Sequence, residues 1–186
     1  MKVWACIDPG NDGALAIISE DGRVNFRDAP TAKVQSGKKT RTVLLPQEMA
    51  RWLGEIKGLS TTGEDLIGEF GGQELYHSAL RVYVEKVTAM RGQGVTSMFN
   101  FGMGYGMWLG VLAALSIPYE LVTPQRWKKE MLAGMGKKKD ASVVKAIQLF
   151  PEYADQLQRP KRGGGVVRLH GRGDALLLAE MNRRQG

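Results

Sequence analysis

The chain has 186 residues, 43% of them hydrophobic and 24% charged, which is enough apolar material for one packed core and too much for a disordered chain. No stretch approaches the roughly 20 apolar residues of a membrane span, and the single cysteine, Cys6, excludes an internal disulfide framework and a cysteine-cluster zinc module. The formal net charge is +7 and it is uneven: Arg126 to Arg172 carries twelve Lys or Arg against four acids, leaving the remainder near neutral, the pattern of a nucleic-acid face or of a solvated lysine-rich surface.

The N-terminal MKVWACIDPG runs into a strand without an apolar signal core, so the expectation is a protein that is not secreted. Lys2 to Asp8 reads as a buried strand, turned back at Pro9-Gly10-Asn11-Asp12-Gly13 into a second apolar run, Ala14 to Ile18, and Glu20-Asp21-Gly22 leads to a third strand, Arg23 to Asp28. Lys33 to Thr42 is polar and reads as a loop. Pro46 opens a helix with Met49, Trp52, Leu53 and Ile56 at helical spacing and Gly58 at its expected C-cap. Ser60 to Gly72 reads as loop, and Arg81 to Val87 as a core strand. Ser97 to Leu115 reads as a long buried helix, Tyr119 to Val122 as a strand, and Thr123-Pro124 as the capped start of a further helix. Another helix runs from Lys139 or Asp140 to Phe150, stopped by Pro151; the basic, glycine-rich Arg159 to Arg168 is expected to be irregular; and Asp174 to Arg183 forms the last helix.

Three antiparallel strands, then helix, strand, helix, strand and further helices predict a single α/β domain over 1–186 whose mixed central sheet is flanked by helices. That order is the one a ribonuclease-H-like fold requires.

Four residues carry candidate chemistry. Asp8 closes the first strand beside a Pro-Gly turn, a position for a metal ligand, although an Asp beside a turn taken alone is more often an Asx-type hydrogen-bonder. Glu85 shares a strand face with Tyr83 and Val87, where a carboxylate is costly unless it is paired or bound to a cation. His170 and Asp174, four residues apart, share one side of the last helix if residues 170–173 are already helical; Asp174 is alternatively its N-cap. Together they form a set of hard-cation ligands converging on one sheet edge. Such a set suits Mg²⁺ or Mn²⁺, and two such ions about 3.5–4 Å apart activate water and stabilise the leaving oxygen in phosphodiester cleavage.

Across IDPGNDGALAII, VEKV, SMFNFGMGYG, IPYELVTPQRWKK, KKKDAS and HGRGDALLLAE the chain resembles the RuvC-like Holliday junction resolvases, with its closest likeness to their phage and organelle branches. The resemblance implies a homodimer that nicks branched DNA symmetrically with divalent metal. It assigns Asp8, Glu85 and Asp174 as metal-binding carboxylates, with His170 at the remaining site position. His170 and Asp174 are four apart, whereas bacterial forms space the pair by three, and Thr88-Ala89-Met90 stands where those forms carry a junction-inserting aromatic. The implied setting is the cytoplasm or nucleoid of a bacterial or phage-infected cell, or an organelle.

Gln93, in the glycine-containing loop after the strand of Glu85, is positioned to read a base edge, or belongs to an ordinary connection. Met98, Phe99 and Phe101 are expected in the core rather than stacked on bases. Gly102, Gly106 and Gly110 form a row that permits close approach to the sheet or across a dimer axis. Lys137, Lys138 and Lys139, together with Arg159, Lys161, Arg162, Arg168 and Arg172, flank the acidic set as candidate DNA contacts. Two other readings share the fold, an RNA–DNA hybrid hydrolase and a non-catalytic junction-binding architectural protein. The architectural reading predicts loss of an acidic position, and none is lost. An actin-like ATPase needs a duplicated second domain, for which this length leaves no room.

Overall fold

The computed structural model describes residues 2–37, 39–57, 80–89, 92, 94–136 and 138–186. The central sheet contains β1 (Val3–Ile7), β2 (Ala14–Ser19), β3 (Val24–Asp28), β6 (Leu80–Glu85) and β7 (Tyr119–Val122), in the order β3-β2-β1-β6-β7. β2 is antiparallel to β1 and to β3, whereas β6 is parallel to β1 and β7 is parallel to β6. This is the predicted mixed sheet with an antiparallel start. The C-terminal ends of β1, β3, β6 and β7 therefore share one edge.

Every residue of β1 and β2 is buried, as expected of strands covered on both faces. Val3, Ala5 and Ile7 pack beneath α1 (Pro46–Ile56) and α2 (Val95–Ala114), together with Met49, Trp52, Leu53, Trp108 and Leu112. Trp4 and Cys6 face the opposite layer, made by α3 (Pro124–Met131), α4 (Ala141–Leu149) and α6 (His170–Gln185). A 3₁₀ turn at Pro151–Tyr153 and the single-turn α5 (Ala154–Leu157) link α4 to that layer. Thr123 caps α3 as expected, its hydroxyl accepting from the Arg126 N–H at 3.3 Å.

Several sequence expectations are corrected. Lys33 to Thr42 is not a loop: β4 (Thr31–Ser36) and β5 (Lys39–Leu44) pair antiparallel around Gly37, whose φ of +62° suits the turn. A two-stranded ribbon without a buried face imposes no apolar alternation, so its polar, lysine-rich sequence reads as loop. Arg159 to Arg168 is likewise regular at its ends, where β8 (Gln158–Pro160) pairs with β9 (Val166–Arg168) and Gly163, Gly164 and Gly165 turn the chain at positive φ. α2 begins two residues earlier than expected and is mostly exposed, burying only Gly104, Trp108 and Leu112. One narrow stripe meets the core, so Phe99 is 70% exposed and Met98 and Phe101 are only partly covered. Gly102, Gly106 and Gly110 have open space where a side chain would stand, so they do not pack on the sheet. α6 starts at His170, four residues before the expected Asp174, which removes Asp174 from the N-cap. Gly58 and Ser60 to Gly72 lie outside the described residues.

Candidate active site

Strand parity places the first two acids. Asp8 continues the Trp4–Cys6 face of β1 and Glu85 continues the Tyr83 face of β6, both toward α6. The β1–β6 register ends at Ile7↔Val84, so the next residues, Asp8 and Glu85, stand side by side at the sheet edge. The Asp8 N–H donates to the Ala14 carbonyl at 2.9 Å and the Gly13 N–H to the Gly10 carbonyl at 3.0 Å. That tight turn lets the Gly10 N–H donate to Asp8 Oδ1 at 3.2 Å.

α6 reaches this edge because Gly171 lets its backbone meet the β1–β2 turn, which Gly13 in turn keeps tight. A Cβ on Gly171 would stand 2.2 Å from the Asp12 carbonyl oxygen and 2.6 Å from the Gly13 Cα; one on Gly13 would stand 2.1 Å from the Asp8 carbonyl oxygen. With α6 seated on the turn, Asp174, one helical turn further, joins Asp8 and Glu85. The sequence pattern marks Gly13 only as part of a turn and gives no sign of the role of Gly171.

The three carboxylates resist ionisation. Asp8 is pushed up to about 7 by burial first, then by the charges of Glu85 and Asp174. Burial also raises Glu85 and Asp174, with Asp174 adding to the rise at Glu85. Opposing groups hold each in place. The Trp127 indole N–H donates to Glu85 Oε1 at 2.8 Å, the Ser142 hydroxyl bonds Asp174, and Lys128 Nζ lies 4.0 Å from Asp174 Oδ2. Lys128 favours the ionised form of all three acids. Sequence reasoning missed these supports. The signal available was Trp127-Lys128 on an amphipathic helix, where a buried indole and a cation follow one another.

His170 lines the same site, with Nε2 3.4 Å from Asp140 Oδ1; Asp140 Oδ2 also pairs with Arg168 Nε at 3.2 Å. Asp140 thus anchors the imidazole instead of capping its own helix. Beside the acids opens a cleft of about 670 Å³ lined by Lys128, Lys129, Lys138, Lys139, His170 and Asp174, among others. On its other side His170 borders a groove of about 420 Å³ shared with Asp12, Thr31, Arg159 and Arg172.

The donor set fits a hard divalent cation in chemistry and in charge: three carboxylates and one imidazole, with burial and mutual repulsion disfavouring the ionised carboxylates for want of compensating positive charge. Among the described residues no three His, Cys, Asp or Glu side chains stand close enough together to hold one ion.

Of the candidate DNA contacts, Lys138 and Lys139 are exposed on the cleft, and Arg159, Lys161 and Arg162 are exposed on the β8–β9 hairpin. Arg168 and Arg172 are engaged internally. Arg172 makes two bonds to Asp28, at 2.6 and 2.9 Å, and one to the Gln156 carbonyl, tying α6 to β3. Gln93 and Lys137 lie outside the described residues.

No family model matches the chain. A stretch of 101 residues is 34% identical to the chloroplastic Holliday junction resolvase MOC1 of Chlamydomonas reinhardtii; it is 54% of this chain and 11% of that protein, so the chain spans about a tenth of the curated relative it matches. Among solved structures, Thermus thermophilus RuvC in complex with a Holliday junction substrate aligns with 100% of this chain and 97% of its own, at TM-score 0.51 and 16% identity. A further T. thermophilus RuvC structure aligns with 95% of this chain and 90% of its own, at TM-score 0.45 and 18% identity. The chain has the ribonuclease-H-like fold of the RuvC in that complex, and the resemblance to RuvC-like resolvases read from its motifs is borne out.

Proposed function

We propose that this chain is a metal-dependent endonuclease that resolves four-way DNA junctions, a homodimer making paired symmetric nicks. The observation that carries the reading is the gathering of Asp8, Glu85 and Asp174, from three separate elements, at one sheet edge beside a cleft with four lysines on its wall. The local similarity to a chloroplast resolvase supports the substrate class. Asp8, Glu85 and Asp174, with His170, would hold two Mg²⁺ ions, or Mn²⁺ in their place, which supply an activated water and charge stabilisation at the leaving oxygen.

The chain's own groups divide the remaining work. Trp127 fixes one oxygen of Glu85, Ser142 and Lys128 orient Asp174, and Asp140 holds the imidazole of His170. Lys129, Lys138 and Lys139 present ammonium groups to the phosphates of the strand that lies along the cleft.

Two nicks on opposing strands need two such centres, and each chain carries one. A C2 pair meets this requirement. The exposed face of α2, with Val95, Phe99 and Met103 beside the open row Gly102, Gly106 and Gly110, is the surface proposed for a second copy.

Side-by-side digestion of a four-way junction, a flap, an RNA–DNA hybrid and a linear duplex tests the reading, with Mg²⁺, Mn²⁺ or EDTA and with sedimentation in parallel. Paired nicks in the junction alone, by a dimer and only with metal, are expected. Preferential cutting of the hybrid by a monomer overturns the reading in favour of a hybrid hydrolase, and metal-dependent binding without cutting of any substrate removes the enzyme.

A further inference from the structure

The β4–β5 ribbon lies outside everything assigned above. Its fourteen residues, Thr31 to Leu44, carry Lys33, Lys38, Lys39 and Arg41 and no acid. It is therefore a second concentration of positive charge, hidden when the chain outside Arg126–Arg172 is averaged. Lys33, Lys39 and Arg41 are exposed, and none forms an ion pair among the described residues.

The register distributes this charge over both faces. The pairs Lys33↔Thr42 and Gln35↔Thr40 share one face, and Val34↔Arg41 and Ser36↔Lys39 share the other. One face thus carries Lys33 among Gln35, Thr40 and Thr42; the opposite face carries Lys39 and Arg41 around Val34, itself 47% exposed. A ribbon that is cationic on both faces, with hydrogen-bonding side chains between the cations, fits a surrounding with phosphate on two sides, and the major groove of a duplex admits a two-stranded ribbon.

Position points the same way. β3 ends at the edge that holds Asp8, with Asp28 opposite Ala14 across the β2–β3 ladder, and the ribbon leaves from there. At its base Leu44 is buried and Leu44 Cδ1 packs where a Cβ of Gly104 would stand, and the Leu45 N–H bonds the Pro30 carbonyl at 2.8 Å. Thr31 lines the groove that His170 also lines. A continuous path therefore runs from the lysine cleft past His170 and Arg159 to the foot of the ribbon. Two acids line this groove, Asp12 and Asp28, against Arg159, Arg168 and Arg172, and Asp28 is occupied by Arg172.

We infer that the β4–β5 ribbon is a second DNA-holding element, which grips the phosphate backbone of a duplex arm next to the strand at the acidic centre. The inference rests on the proposed DNA substrate and extends it to an arm-binding surface. Six paired positions at about 3.3 Å each give a ribbon roughly 20 Å long, the axial length of about six base pairs. Its contacts are to phosphate, so it sets affinity rather than sequence preference.

The test is the combined variant Lys33→Gln, Lys39→Gln, Arg41→Gln, whose changes are on the surface and leave the Leu44 anchor untouched. Binding to a four-way junction with long arms is measured from about 50 to 200 mM salt, alongside cleavage at saturating DNA. The expected result is a slope of log affinity against log salt shallower by up to about 2.7, since each phosphate that is no longer neutralised removes about 0.9. Affinity at the upper salt should fall about tenfold or more, with an unchanged cleavage rate at saturation. Arms trimmed to a few base pairs should bring wild type and variant together. An unchanged slope on long arms overturns the ribbon's role, as does an equal loss on long and trimmed arms. These outcomes separate from failure of the resolvase reading: a wild type that cuts no junction fails that reading, while the slope comparison still decides the ribbon.

Discussion

Replacing Asp8 by Asn removes one charge from the acidic centre while keeping the shape and the oxygen that accepts the Gly10 N–H. The carboxyl titrates near 3.8 in an unfolded chain and at about 7 in the fold. The folded state therefore binds this proton more tightly. Below the unfolded value the group is protonated in both states and costs nothing; as pH rises from 3.8 toward 7 the penalty for burying the ionised form grows, and above 7 it is fully present. About three pKa units at 1.36 kcal/mol each set an upper bound of roughly 4 kcal/mol, of which about 1.5 kcal/mol already applies at pH 5. In EDTA, Asp8→Asn should thus be more stable than wild type at pH 8.5, and its advantage over wild type should grow by about 2–3 kcal/mol between pH 5 and pH 8.5. For a chain of this size that corresponds to roughly 4–12 °C in Tm. Thermal unfolding followed by circular dichroism at the two pH values measures it. Adding Mg²⁺ should then raise the Tm of wild type much more than that of the variant, because the cation supplies the charge that the carboxylates lack. A variant advantage that does not change with pH, or a variant less stable than wild type at pH 8.5 in EDTA, would refute the placement of Asp8 in a buried, mutually repelling set.

Glu85→Gln and Asp174→Asn, like Asp8→Asn, should reduce junction cleavage by about a thousandfold or more while leaving binding largely intact, as metal and phosphate are held by different groups; nicking in EDTA by wild type would contradict this. Trp127→Phe keeps the buried ring and removes the N–H that holds Glu85 Oε1, so calorimetry should show weaker Mg²⁺ binding by about tenfold, at roughly one charge-assisted hydrogen bond removed. Unchanged Mg²⁺ affinity would leave Trp127 a packing residue. Gly171→Ala drives a methyl group to 2.2 Å from a backbone oxygen and should cost about 1–3 kcal/mol by denaturant melting, with activity falling further because α6 is lifted from the turn; a neutral substitution would mean that this approach is not tight. Neutralising Lys137, Lys138 and Lys139 to Gln should weaken DNA binding irrespective of sequence and flatten its salt dependence by about 0.9 for each phosphate left without its cation, whereas an unchanged slope would assign them to general surface.

Much of this molecule was legible from local pattern. The three opening strands, the α1 stripe of Met49, Trp52, Leu53 and Ile56, and the Thr123 cap follow from hydrophobic period and capping chemistry, which act over a few residues. Asp8 and Glu85 were recognisable because a carboxylate at the end or inside of an apolar strand contradicts its surroundings. The β4–β5 ribbon was not legible, since a ribbon outside the sheet has no buried face to impose an apolar alternation. The exposure of Phe99 was not legible either. Composition reports how apolar α2 is, whereas the packing partner decides which stripe is covered, and here that stripe is Gly104, Trp108 and Leu112.

The sequence by itself thus determined the five strands of the central sheet, the order of the main helices and the residue types able to bind a hard cation. Tertiary structure alone decided that Gly171 seats α6 on the β1–β2 turn, that Trp127 and Lys128 support the acids, and that Asp140 serves His170 and Arg168. It also turned Arg172 inward to Asp28. The physical reason is range: helical and strand periods are written in neighbouring side chains, but burial, repulsion between carboxylates and the choice of ion-pair partner depend on distances between segments as far apart as Asp8 and Asp174, which exist only once the chain has folded.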